Sequence, residues 1–572
     1  MELLGLFRKD GYRDEAPPPL EPPRRRVPLL PGLRRLLRRA DARPGFAFAA
    51  GLVAVALTLL LLAGAAPPEG GPFWPLGALL MVLLVYGALG MYVRQLQPKE
   101  MLRASNQVLL LAVILVVLGL VRLGDALATS VGFYYTPHLP SRSLVLAAPG
   151  ALAGVLLAVL FNARLAFAGS LAVSILATVM VGAGPRFEFF LFTFMGCLVG
   201  AFAMAGQLER TGFFKAAGLV SAANTLTLLG FRLLYGFDAA WPYDLAAGLA
   251  NGLIVGILAT GLLPMLEYLF NAATDLALLE LANPNKPLLK RLILTAPGTY
   301  HHSIVVGTLA EAAAEAIGAN ALLCRVGAYY HDIGKLKKPG YFIENNPEAS
   351  GRYTKLAPHL SSLVVMSHVR DGVELAEAHG LPRALVDLIP QHHGTRLVSF
   401  FYQRALEATD PNLEAVAEET YRYPGPKPQT REAAILMLAD AVEAATRALE
   451  DPTPSRLQGL VQRLINGIFV DGQLDECDLA LRDLHRIAKS FVRVLTAMFH
   501  ARVEYPGASA EGGRRREENG HVGARPAGSE EADSDQPPVP AKGRRGDARR
   551  GGAEGGRLLP DPDQRLANGS PQ

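Results

Sequence analysis

The sequence predicts an all-α protein in two parts: a polytopic bundle of membrane-spanning helices, then a helical soluble domain. Three observations carry this. Half of the 572 residues are apolar, and they gather between residues 46 and 270 in runs long enough to cross a bilayer, whose hydrocarbon core of roughly 30 Å needs about 20 residues of helix. From Asp275 onward the apolar residues recur instead at i, i+3 and i+4. Strand-like alternation is absent from that second part. A chain of this length exceeds one ordinary domain, so at least two units are expected.

Residues 1–45 form a basic, Pro-rich segment containing PPPLEPPRRR and RRLLRRADAR. The first apolar run starts only near Phe46 and is followed by further runs, the pattern of a signal anchor rather than a cleaved leader. A first span at 46–66 is followed by a seven-span block at 75–270, with spans at 75–93, 106–123, 143–161, 165–183, 187–206, 212–235 and 244–270. Only Asn162, Ala163 and Arg164 separate two of them, which requires a tight hairpin. With eight helices alternating, the basic loops (Arg34–Arg43, Arg94–Arg103, Arg164, Arg210–Lys215 and Lys286–Arg291) all fall on one face, and the opposite loops are nearly neutral. The excess of Lys and Arg puts that face, both termini and the soluble domain in the cytoplasm. Tyr134, Tyr135, Trp241 and Tyr243 sit at span ends, as interfacial rings do. Arg122, Arg232 and Glu267 also lie near span ends, where snorkelling explains them. No buried charged site is therefore expected, and transport has no support. Anchoring and signal reception both remain open for the membrane half.

In the soluble part, helical periodicity runs over 302–317, where Gly318 stops it, and over 321–332, 359–379, 382–393, 431–449, 455–468 and 478–500. YRYPGPKPQT at 421–430 has three prolines and reads as an irregular loop. The tail at 507–572 has too few apolar residues to bury a core and is expected to be disordered. A formal net charge of +4 gives no global basic field, which argues against a nucleic acid polymer as partner. Cys197, Cys324 and Cys477 are few and scattered, so no disulfide framework follows and a reduced cytoplasmic setting fits.

The chemistry lies in the histidines. Eleven of the twelve follow position 300. They form small clusters: TYHHS with His301 and His302, YYHDIGK with His331 beside Asp332, and QHHGT with His392 and His393. His368 in SHVRDG and Asp440 in MLADAVEA extend the set. Imidazole and carboxylate together suit Fe, Mn or Zn, and a bridging carboxylate suits a pair of ions. Gly334 is expected to end the helix that carries His331 and Asp332, so that Lys335 turns back towards the site. A single helical histidine is usually just a satisfied polar residue. The ordered set H…HD…H…HH…D on helices is far more specific. His301, His359, His379, His485, His500 and His521 stay outside it, and Cys324 reads as core.

The runs APGTYHHSIVVGTLAEAAAEAIGAN, RVGAYYHDIGKLKKPGYFIENN, SHVRDGVELA, QHHGT, YPGPKPQTREAAILMLADAVEA and DGQLDECDL resemble the seven-transmembrane HD family. These are bacterial membrane proteins with a cytoplasmic HDIG phosphodiesterase domain that hydrolyses cyclic di-AMP. The resemblance spans residues 75–505 and implies an HD phosphohydrolase domain over 275–505. It also implies two divalent transition-metal ions, iron or manganese. Asp332 would bridge them; His302, His331 and Asp440 would complete one site, and His368, His392 and His393 the other. His302 is preferred to His301 because it directly precedes Ser303. One departure stands out: similar proteins carry a large extracytoplasmic domain after the first helix, and here that interval is only about residues 67–75.

On this reading the substrate partner is a cyclic dinucleotide opened to pApA, membrane lipid surrounds the spans, and a homodimer is left open. Phosphodiester hydrolysis needs an activated water and neutralisation of phosphate charge, which two ions about 3.5–4 Å apart supply. Lys335 would add positive charge at the phosphate. Lys337, Lys338 and Arg370 read equally as second-phosphate contacts or as a solvated face. Cyclic di-GMP is the rival substrate, but its HD subgroup carries Glu and a GYP element after the paired histidines, where this chain has Gly394, Thr395 and Arg396. A hydrolase for another nucleotide and a non-catalytic nucleotide receptor are the remaining alternatives.

Overall fold

The computed structural model describes residues 45–63, 71–96, 103–134, 140–181, 186–346, 356–408 and 416–499. Residues 1–44 of the N-terminal basic segment, residues 67–70 of the 67–75 interval and the 507–572 tail lie outside the described residues. The fold is all-α, with no strand among the described residues and a single isolated bridge between Leu397 and Arg422.

The membrane part contains α1 (Phe46–Ala63), α2 (Trp74–Leu96), α3 (Ala104–Tyr134), α4 (Ser141–Leu146), α5 (Leu152–Leu160), α6 (Ala163–Met180), α7 (Arg186–Met204), α8 (Gly212–Tyr235) and α9 (Trp241–Phe270). Seven of these are long and apolar enough to cross a membrane. The expected span at 143–161 is instead two short helices, α4 and α5, broken around Pro149 and Gly150. A helix break leaves carbonyls without partners, which lipid cannot satisfy. Here protein does: Asn251 Nδ2 donates to Leu146 O (3.1 Å) and Ala148 O (2.7 Å), and Cys197 Sγ donates to Gly150 O. Asn224 Nδ2 in turn donates to Asn251 Oδ1 at 2.9 Å. The tight hairpin is present, and Asn162 caps α6 by accepting from Leu165 N at 2.9 Å.

α8 and α9 approach closely because α9 presents Gly248, Gly252 and Gly256 to Thr225, Ser221 and Ala217 of α8. A Cβ at Gly252 would lie 2.3 Å from Ser221 N, so only glycine permits this contact, a packing mode common between membrane helices.

The expectation that charges only snorkel at span ends is corrected. Arg232, at 7 % exposure, is buried with Glu188 (2.5 Å) and Asp244 (3.2 Å). Arg142 also reaches Asp244 (3.0 Å) and Asp238 (2.5 Å), and Ser143 Oγ donates to Asp244 Oδ1. Arg142, Ser143, Glu188, Arg232 and Asp244 come from α4, α7, α8 and the start of α9, and Asp238 from the turn between α8 and α9. Burial of each charge is tolerable because each has an opposite partner.

α9 ends at Asn271, whose left-handed backbone (φ 55°) turns the chain into α10 (Asp275–Leu281), capped by Thr274. α11 (Pro287–Thr295), α12 (Pro297–Ile317), α13 (Ala321–Tyr330), α14 (Pro358–Ala378), α15 (Arg383–Gln391), α16 (Ser399–Ala408), α17 (Arg431–Thr446), α18 (Pro454–Val470) and α19 (Leu481–Met498) follow. α10, α11 and α16 were not expected from periodicity. Two main apolar clusters form, one drawn from Leu62 to Leu276 and the other from Leu278 to Leu495. α17 runs through the second cluster and is buried on nearly every side, so Asp440 is carried into the interior by an otherwise apolar helix.

Candidate metal centre

Each candidate side chain is placed by an element end or a buried helix face. α13 ends at Tyr330, before the His-Asp pair rather than after it. Asp332 then opens a 3-10 turn over Ile333–Lys337. Gly334 is therefore not the helix stop expected from sequence. Its role is close approach: a Cβ there would lie 1.8 Å from His368 O, so glycine lets the turn seat against α14. α15 ends at Gln391, which leaves His392 and His393 on the turn beyond it, where Gly394 takes φ +53°. The proline-rich loop holds that turn in place. Gln429 N donates to Gln391 Oε1, Arg422 donates to Thr395 O, and Gln473 Oε1 accepts from Thr395 N. Tyr423 stacks on His393 with ring centroids 4.2 Å apart.

These elements bring together all eight residues singled out in the sequence. Asp332 Oδ2 lies 3.2 Å from His331 Nε2, 3.5 Å from His302 Nε2 and 2.7 Å from Lys335 Nζ. Asp332 Oδ1 lies 3.4 Å from His368 Nε2 and 3.9 Å from His392 Nε2. Asp440 Oδ1 is 3.1 Å from His302 Nε2 and 3.7 Å from His331 Nε2, and its Oδ2 is 3.8 Å from His393 Nδ1. His302, His331 and Asp332 form one group able to hold an ion, and His368, His392 and His393 form another, with donor atoms in each within 4.8 Å of one another. His301 and His485 are exposed, and His379 Nδ1 donates to Leu375 O in the preceding turn. His359 is exposed beside Tyr421, and His500 and His521 lie outside the described residues.

The residues fit a pair of cations on hydrogen-bonding grounds. His331 Nδ1 faces Ala328 O, His368 Nδ1 faces Val365 O, and His392 Nδ1 faces Ile389 O, at 2.7, 2.5 and 2.5 Å. A carbonyl only accepts, so each Nδ1 carries the proton and each Nε2 is left to face the centre. His331 Nε2, His368 Nε2, His392 Nε2 and Asp332 Oδ1 are buried and hydrogen-bond to nothing among the described residues. Four such atoms converging on one point are costly unless a cation satisfies them.

The electrostatics divide the ligands. Burial pushes His392 down to about 3 and, with its neighbours, holds His393 and His368 low. Burial also opposes charge on His331, but the adjacent Asp332 carboxylate outweighs it and raises this group, which marks the negative charge that a bound cation would neutralise. Burial would raise Asp332, yet His331 and Lys335 hold it well below the usual carboxylate range. Lys335 is pinned, 2.7 Å from both Asp332 Oδ2 and Glu344 Oε1, with its ammonium over the Phe342 ring. Lys337 is not a free phosphate contact: it pairs with Asp371 (2.9 Å) and Glu374 (2.8 Å).

Two acidic residues around the site escaped the sequence reading. Glu344, in the FIENN run, reaches Lys335 and accepts from Thr299 Oγ1. Glu443 lies 2.5 Å from His302 Nδ1. The available signal was its position three residues after Asp440 on one helix, hence on the same face.

Comparison with known proteins agrees with this division of the chain. Residues 73–274 match the family described as 7TM receptor with intracellular HD hydrolase, and residues 299–445 match the HD domain. The chain is 37 % identical to the cyclic-di-AMP phosphodiesterase PgpH of Bacillus subtilis, over 76 % of this chain and 61 % of that protein. It is 41 % identical to the PgpH of Listeria monocytogenes, over 50 % of this chain and 37 % of that protein. The chain thus spans less than two thirds of the length of these relatives. A crystal structure of the L. monocytogenes PgpH HD domain with cyclic-di-AMP is 44 % identical, with a TM-score of 0.36, covering 38 % of this chain and all of that one.

Proposed function

We propose that this chain, whose residues 73–274 match the family described as 7TM receptor with intracellular HD hydrolase and whose residues 299–445 match the HD domain, is a membrane-bound, metal-dependent phosphodiesterase that opens cyclic di-AMP to pApA. The observation that carries this reading is Asp332, whose two oxygens face separate sets of histidines. In this assignment Asp332 would be shared by two ions, iron or manganese. His302, His331 and Asp440 would hold one of them, and His368, His392 and His393 the other. The spans occupy 46–66 and 75–270, and the HD domain occupies 275–505 on the cytoplasmic side with both termini.

When bound, such ions would supply an activated water and neutralise the phosphate charge that an anionic diester otherwise presents against attack. The protein's own residues do the rest. The backbone carbonyls of Ala328, Val365 and Ile389 fix the ring orientation of three ligands, so no reorganisation is needed as charge develops. Lys335 keeps its ammonium beside Asp332, where it offsets negative charge added by the phosphate. Water adds to phosphorus, the 3′-oxygen leaves and takes up a proton, and one ester opens; the second phosphate only has to be held. The substrate base is argued from the names of the two relatives and from Gly394, Thr395 and Arg396 following the paired histidines.

The test is a time course on the full-length protein in detergent with saturating Mn and equal concentrations of cyclic di-AMP and cyclic di-GMP. We expect pApA to accumulate first and cyclic di-GMP to turn over more slowly. Faster loss of cyclic di-GMP, or AMP formed without a pApA phase, overturns the substrate assignment.

A further inference from the structure

Three of the buried imidazoles share one form of support, a hydrogen bond from Nδ1 to the carbonyl three residues earlier. His302 does not. Its Nδ1 lies 2.5 Å from Glu443 Oε2, and the other Glu443 oxygen accepts from Arg447 Nε at 2.6 Å. Glu443 is 3 % exposed. It projects from the same face of α17 as Asp440, whose Oδ1 lies 3.1 Å from Nε2 of that same ring. One helix therefore places a carboxylate oxygen beside each nitrogen of His302.

We propose that Glu443 is a positioning residue that makes the two metal positions unequal, so that the ion beside His302, His331 and Asp440 is held more tightly than the ion beside His368, His392 and His393. This rests on the bimetal assignment above. The reason is charge. A carboxylate acceptor makes an imidazole a stronger donor to a metal than a neutral carbonyl does, and it fixes the tautomer that leaves Nε2 free. The first position thus has Asp440 directly and Glu443 through His302. The second has only imidazoles, and no carboxylate besides the shared Asp332. Arg447 does not cancel the effect, because its side chain is 40 % exposed and its charge is screened by solvent.

The experiment is a chelator titration of the full-length protein in detergent, loaded with Mn, with Mn counted per chain. The wild type should release its ions in two steps. Glu443→Gln keeps the shape but removes the charge; its tighter step should move to weaker chelation by about 10–100-fold while the weaker step stays in place. His368→Ala should remove the weaker step alone. If Glu443→Gln does not fold, Glu443→Asp carries the test: it keeps the charge but draws it back from Nδ1, and should shift the same step by a smaller factor. Release of both ions at wild-type chelator concentrations from the folded variant overturns the proposal. A wild type that binds fewer than two ions overturns the bimetal assignment beneath it.

Discussion

The hydroxyl of Tyr330 donates a 2.8 Å hydrogen bond to the carbonyl oxygen of Leu281. Tyr330 immediately precedes the His331–Asp332 pair, and Leu281 ends α10, the short helix that follows the last membrane span. The neighbouring Glu280 pairs with Arg210, on the turn between α7 and α8, at 2.7 Å. α10 is thus tied on one side to the membrane part and on the other to the residue that leads into the candidate metal centre. Tyr330→Phe removes the donor and leaves Leu281 O unpaired, which should cost about 1 kcal/mol. Thermal unfolding should show the loss while metal content at saturation stays at two ions per chain. An unchanged unfolding temperature would show that the bond contributes nothing.

Asp332 and His368 should differ in metal stoichiometry. Asp332→Ala removes the carboxylate that faces both histidine sets and should lose most of both ions. His368→Ala touches one set and should lose mainly one. Elemental analysis of the purified variants decides this, and full metal content with full activity in Asp332→Ala would rule out the assignment.

Two glycines should respond oppositely to alanine. At Gly334 the added Cβ would lie 1.8 Å from His368 O and 2.6 Å from Gly372 N, backbone atoms that cannot yield cheaply. Gly334→Ala should displace the turn carrying Asp332 and abolish metal binding. Gly318 has φ +68° with open space around it, so Gly318→Ala should cost only about 1–2 kcal/mol of stability and leave activity intact. Equal metal content in the two variants would contradict the packing argument.

Arg232 is the shared partner of Glu188 and Asp244 in the membrane part. Arg232→Leu strands buried carboxylate charge and should destabilise the protein by about 3–5 kcal/mol. Adding Glu188→Leu should recover part of this, because Asp244 keeps Arg142. Thermal unfolding of the detergent-solubilised variants measures both. A double variant no more stable than the single one would argue against direct pairing.

Topology follows from the basic loops. Reporters fused in the 67–75 interval and after residue 505 should report opposite sides of the membrane. An HD domain found outside the cytoplasm would reverse the proposed orientation.

By itself the sequence determined the all-α class, the membrane-spanning runs and the residues with metal-binding chemistry. Apolar length, helical period and side-chain type are local properties, so the positions of His302, His331, Asp332, His368, His392, His393 and Asp440 could be marked before any fold was known. Only the tertiary structure decided what those residues and their neighbours face. An apolar run through Pro149 and Gly150 reads as one span until Asn251, about a hundred residues away, is seen to satisfy the carbonyls freed by the break. Arg232 reads as a snorkelling end residue until Glu188 and Asp244 are brought to it. Lys337 reads as a free cation until α14 supplies Asp371 and Glu374. Glu443 reads as one more helical acid until the ring of His302, held on a different helix, turns its Nδ1 toward it. A charge or a carbonyl carries its chemical identity in the sequence, but its energy is set by its partner, and folding chooses the partner.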